Sequence, residues 1–124
     1  MESVLNKENI RRLVDTFYPK ILKDEIVSPF FIEKIGDDIK SQKWQEHLEL
    51  IANFWASMAG LEESYFGNPL FPHLNMQGIS REAFQRWILL FHQTLDEIYT
   101  DETGRFFKER SMTIANNFMR KIGI

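Results

Sequence analysis

The sequence contains no cysteine. That absence excludes disulfides, thiolate zinc sites, iron–sulfur clusters and every thiolate or thioether attachment of a haem. Any metal must then be held by His, Asp, Glu, Met or Tyr. Positive charge is not in excess either: 15 basic side chains face 18 acidic ones, for a net charge of −3 and a pI near 5.6. No electrostatic footprint for nucleic acid results, and no nucleic-acid partner is expected. There is no run of about 18 apolar residues, and Met1 to Glu8 shows no basic stretch leading into an apolar one. The expectation is a soluble, cytoplasmic protein with no membrane partner. Internal repeats and low-complexity tracts are also missing.

What is present is an ordinary globular balance, 44% hydrophobic and 27% charged, with an unusual share of rings. Aromatic residues make up 14% of the chain, and 11 of them are Phe. At 124 residues the chain suits one domain, 1–124, around one ring-rich core.

Four segments carry helical periodicity and none carries strand alternation, so the fold reads as all-α. The first begins at Asn6, a good N-cap, and repeats Ile10, Leu13, Val14, Phe17 and Ile21 at three and four, with Tyr18 on the flank. Pro19 falls inside this pattern, which predicts a kink or break. A short element starts at Ser28-Pro29 and ends at Gly36-Asp37-Asp38. The next helix is expected from Ser41 to Ala59. Its apolar arc holds Trp44, His47, Leu48, Ile51, Phe54, Trp55, Met58 and Ala59, and Ala56 falls on the polar side. From Gly60 to Ile79 the periodicity disappears, and an irregular stretch of that length is usually functional. Ser80 then caps a helix to about Tyr99 with Phe84, Trp87, Ile88, Phe91, Leu95 and Ile98 in its stripe. Asp101-Glu102-Thr103-Gly104 is expected to separate it from a last helix bearing Phe107, Ile114, Phe118 and Ile122, with Met112, Ala115 and Met119 adjoining.

Each of the three His residues can be weighed separately. His73 stands in the irregular segment among apolar neighbours, where it is either a solvated loop residue or a ligand. His47 lies on the apolar arc of its helix, as a hydrogen-bonded core histidine would. His92 sits at the edge of a stripe and reads as partly exposed and structural. Tyr18 and Trp87 present a phenol and an indole N–H beside apolar faces. These polar tips would overload a small core unless they surround a ligand. Acid pairs such as Asp37-Asp38 and Glu62-Glu63 read as solvated turn charges. Nucleotide-loop, nucleophile-elbow, zinc-protease and calcium-loop spacings are all absent.

The ordered set Phe17-Tyr18, Pro29-Phe30-Phe31, Trp44-Gln45-Glu46-His47, Asn53-Phe54-Trp55, Tyr65-Phe66-Gly67-Asn68-Pro69, His73-Leu74 and Trp87 to Phe91 resembles the truncated haemoglobins, most closely their group three. The resemblance covers nearly the whole chain. The absence of any Gly-Gly pair agrees with that group. It implies a two-over-two helical sandwich around one non-covalent haem b with its iron. On matching positions, His73 looks like the proximal iron ligand, Tyr18 and Trp87 like distal hydrogen-bond donors, and His47 like the distal histidine. Phe31 and Ile51 would line the pocket, and Tyr65 would take either a packing role or a haem-edge contact.

Neutral imidazole is a good axial ligand, and an apolar pocket shields ferrous iron while leaving one position open to dioxygen, nitric oxide or carbon monoxide. Held dioxygen carries partial negative charge, which donors in a low-dielectric cavity stabilise. The implied function is reversible diatomic binding and oxygen transport, open to nitric oxide dioxygenase or peroxidase-like chemistry with an electron-donating reductase, in a monomer. The rival from another class is a haem-free helical interaction module whose rings are only core. A ligand-gated sensor would need an output domain that these residues do not supply.

Overall fold

Most of the helices start where a short polar side chain can accept a free backbone N–H. In the computed structural model, which describes residues 1–61 and 78–124, Asn6 caps α1 (Lys7–Lys23) in a reciprocal box with Asn9, at 2.8 and 3.2 Å. Ser41 caps α3 (Gln42–Met58), Ser80 caps α4 (Arg81–Ile98) and Thr100 caps α5 (Asp101–Ile122). The short α2 (Ser28–Ile35) starts without a side-chain cap, with Pro29 in its first turn, and ends at Gly36, whose φ of 104° suits a residue without Cβ. These are five helices among the described residues, and the only extended pairing is an isolated bridge between Glu2 and Tyr99.

Three expectations need correction. Pro19 does not break the first helix, which runs unbroken from Lys7 to Lys23. An interior proline costs a helix about 3 kcal/mol, whereas burying one large apolar side chain returns about 1.5–3 kcal/mol. Phe17, Tyr18 and Ile21 flank Pro19 and are all at most 1% exposed, so packing wins. Asp101 to Gly104 do not separate two helices but form the first turn of α5, because Thr100 accepts from the Thr103 N–H and Asp101 and Glu102 suit a helix N-terminus. Only Tyr99 and Thr100 stand between α4 and α5, and a Cβ at Gly104 would lie 3.7 Å from the Tyr99 Cβ. Ala56 is buried in the main core although helical spacing puts it on the polar arc of α3.

Helix α1 packs against α2, α3 and α4, and α4 packs against α5. The main core fills the space between them, and a smaller cluster of Phe84, Ala115, Phe118 and Met119 sits between α4 and α5. Among the described residues no helix is long and apolar enough to cross a membrane.

Candidate functional site

The apolar stripe of α1 delivers Phe17 and Tyr18 side by side into the interior, with ring centroids 4.9 Å apart. The matching stripe of α3 delivers Trp44 and His47 from the other side. Their rings close around Tyr18: His47 lies 5.1 Å away with planes at 86°, Trp44 at 5.6 Å, and Phe31 of α2 at 5.9 Å. Helix α4 completes the set, since Trp87 meets Phe17 edge to face at 5.2 Å. Edge-to-face pairs of this kind put a positive ring edge on a negative face and lock the rings in place.

Burial sets the charge state of the polar members. Tyr18 is fully buried, which pushes its hydroxyl above the ordinary phenol range, with hydrogen bonding from Trp87 acting in the opposite direction. It therefore stays protonated and able to donate. His47 is lowered to about 4 by burial, so its imidazole is neutral near pH 7. Among the described residues the Tyr18 Oη meets no partner with full hydrogen-bond geometry. A buried hydroxyl left so is costly, on the order of 1–3 kcal/mol, unless an acceptor enters the site.

A cavity adjoins this cluster. It lies between α2, α4 and α5, leaves room for only about 20 Å³, the scale of a single water, and has apolar walls that include Val27, Phe31, Phe84, Trp87 and Phe118. Phe31 and Trp87 belong to both the cluster and the cavity. In kind, apolar walls next to a ring cluster that carries one buried hydroxyl suit a flat, largely apolar cofactor with a polar ligand on it. Among the described residues no three His, Asp or Glu side chains converge on a metal site.

Of the residues singled out from the sequence, Tyr18, Phe31 and His47 come together, and Trp87 reaches them through Phe17. Ile51 is buried one turn beyond His47 but is not among the walls of this cavity. Tyr65 and His73 lie outside the described residues. His92 is half-buried at the α4–α5 interface, 3.4 Å from the Ser111 Oγ, as a structural histidine would be. Asp37 and Asp38 are exposed turn residues. Sequence reasoning missed Trp44, whose Nε1–H donates to the Gly36 carbonyl at 2.7 Å while its ring packs on Tyr18, Phe31 and His47. Its position on the apolar arc was visible, but nothing local marked it as a wall of the site.

No family model matches the chain. It is 35% identical over 118 residues, 95% of its length and 91% of the relative's, to the group 3 truncated hemoglobin ctb of Campylobacter jejuni. The crystal structure of a group III truncated hemoglobin from Campylobacter jejuni superposes with a TM-score of 0.88 at 34% identity, covering 98% of this chain and 94% of that one. The chain belongs to the group 3 truncated haemoglobins. Its all-α architecture is therefore a globin fold, and α1 to α4 are the helices of this truncated haemoglobin that carry the aromatic cluster.

Proposed function

We propose that this truncated haemoglobin, as a single domain over 1–124, holds one haem b and binds diatomic ligands against the Tyr18 cluster. The observation that carries the reading is the buried, protonated Tyr18 hydroxyl, on whose ring packs Phe31, itself a wall of the apolar cavity. Haem b would supply the iron chemistry that binds dioxygen, nitric oxide or carbon monoxide. His73 is the proposed proximal ligand, and neutral imidazole suits that role. Phe31 and Trp87 are the proposed apolar walls against the ring, with Ile51 behind His47 and Tyr65 at packing or the haem edge.

Tyr18 and Trp87 would donate hydrogen bonds to a ligand with partial negative charge, with neutral His47 packed against the Tyr18 ring. A water-excluding aromatic wall makes each such bond stronger than it would be in solvent. The same donors suit nitric oxide dioxygenation or peroxidase-like turnover, with a reductase supplying electrons. Titrating the purified protein with haemin tests the reading: a sharp one-to-one endpoint with a haem-protein absorption spectrum is expected. No saturable uptake would favour a haem-free helical interaction module.

A further inference from the structure

Asp24 is the only buried acidic side chain among the described residues. It occupies the corner between α1 and α2, where its backbone N–H donates to the Ile21 carbonyl at 3.2 Å and its own carbonyl accepts from Ser28 at 2.9 Å. Its two carboxylate oxygens point to different elements. Oδ2 accepts the Val27 backbone N–H at 3.2 Å, and Oδ1 accepts the Arg86 Nε–H at 2.8 Å. Val27 is a wall of the apolar cavity, and Arg86 immediately precedes Trp87, another wall. One carboxylate thus ties together the two sides of the cavity that come from α1–α2 and from α4.

The chemistry makes this tie directional. A guanidinium bonded through Nε to a carboxylate is a charge-assisted contact with a fixed plane. Successive residues on a helix project about 100° apart, so a fixed Arg86 limits both rotation and sliding of α4, and with them the reach of the Trp87 indole. The Asp24 side chain is only 7% exposed and Arg86 is 42% exposed, so the contact is shielded on the carboxylate side, unlike the surface pairs elsewhere on the chain.

We infer that Asp24 and Arg86 are a positioning pair that sets where Trp87 sits relative to Tyr18 and how wide the cavity is between Val27, Phe31 and Trp87. The inference rests on the proposed role of Trp87 as a distal donor for its effect on ligands, but its effect on the ring is independent of that role. The pair touches no ligand itself and acts through Trp87.

The test uses Arg86→Met, which keeps most of the aliphatic stem and removes the charge, with Arg86→Lys and Trp87→Phe beside it. In nitrogen–proton correlation spectra of the haem-free protein, the Trp87 indole signal is assigned by its loss in Trp87→Phe. Arg86→Met is expected to move that signal while those of Trp44 and Trp55 stay in place, and Arg86→Lys to recover part of the shift. In the haem-loaded protein Arg86→Met should speed dioxygen release roughly 3- to 10-fold, as partial loss of a donor bond would, with carbon monoxide release little changed. Asp24→Ala should in addition speed amide exchange at Val27; if it fails to fold, the half-exposed Arg86 position still decides the matter. An unmoved Trp87 indole signal in Arg86→Met overturns the inference, as does unchanged dioxygen release in Arg86→Met beside faster release in Trp87→Phe. If Trp87→Phe itself leaves dioxygen release unchanged, the donor role of Trp87 fails and the indole shift alone judges the positioning pair.

Discussion

Tyr18 and His47 meet edge to face inside the protein, ring centroids 5.1 Å apart and planes at 86°. The same burial that keeps the phenol protonated keeps the imidazole neutral, so the pair carries no charge over a wide pH range. That neutrality suits the proposed role of this cluster in holding an uncharged diatomic molecule.

The histidine gives the pair an acid limit. His47 has a folded pKa of about 4 against an unfolded value near 6.5, so between those values the unfolded chain binds the extra proton. Above pH 6.5 the difference vanishes, and as pH falls from there towards 4 stability is lost, on the order of 3 kcal/mol at about 1.4 kcal/mol per pH unit. Urea unfolding of haem-free wild type and His47→Leu at pH 7.5 and 4.5 should show the wild type losing more stability than the variant. A difference between the two proteins that does not change with pH would contradict the assignment.

Trp44 should matter more than its lack of a ligand role suggests. Its Nε1–H holds the Gly36 carbonyl at 2.7 Å, at a position where φ is 104°, and its ring backs both Tyr18 and His47. Trp44→Phe removes a buried donor and part of a ring, for an expected loss of about 2–4 kcal/mol in denaturant unfolding. A loss below about 0.5 kcal/mol, the scale of an ordinary surface change, would show that the α2–α3 corner does not depend on this bond.

Where the chain's periodicity and capping residues agree, the sequence was readable. Asn6, Ser41 and Ser80 mark helix starts because the physics of capping is local, and the placing of Tyr18, His47 and Trp87 beside apolar stripes followed from helical spacing alone. The break at Pro19 and the separation at Gly104 do not occur because a local signal meets a stronger tertiary one: packing of Phe17, Tyr18 and Ile21 in the first case, capping by Thr100 and contact with Tyr99 in the second. The Asp24–Arg86 contact could not be read at all. It joins residues 62 positions apart, and Lys23-Asp24-Glu25 looks like any solvated charge cluster.

His73 is the expected proximal ligand, and removing it tests the haem side of the site. His73→Gly should lose stoichiometric haemin uptake or give an altered spectrum that added imidazole restores, because free imidazole can fill the space left by the side chain. His92 is a poor substitute, since it sits between α4 and α5 against Ser111. A wild-type spectrum in His73→Gly would move the ligand role to His47.

Tyr18 and Trp87 should hold dioxygen jointly. They enter from α1 and α4, Phe17 packs against both rings, and hydrogen bonding with Trp87 already acts on the Tyr18 hydroxyl. A hydrogen bond to a charged acceptor contributes about 1.5–3 kcal/mol, so losing one should speed dioxygen release roughly 10- to 100-fold. Carbon monoxide is less polar when bound and should respond much less. Because the two donors share neighbours, one can compensate for the other, so Tyr18→Phe, Trp87→Phe and their combination need to be compared as a cycle. Stopped-flow release from all three should show a double mutant faster than either single one, with haem content unchanged. If the double mutant releases dioxygen at the wild-type rate, these side chains are core aromatics and the distal contacts must come from elsewhere in the pocket.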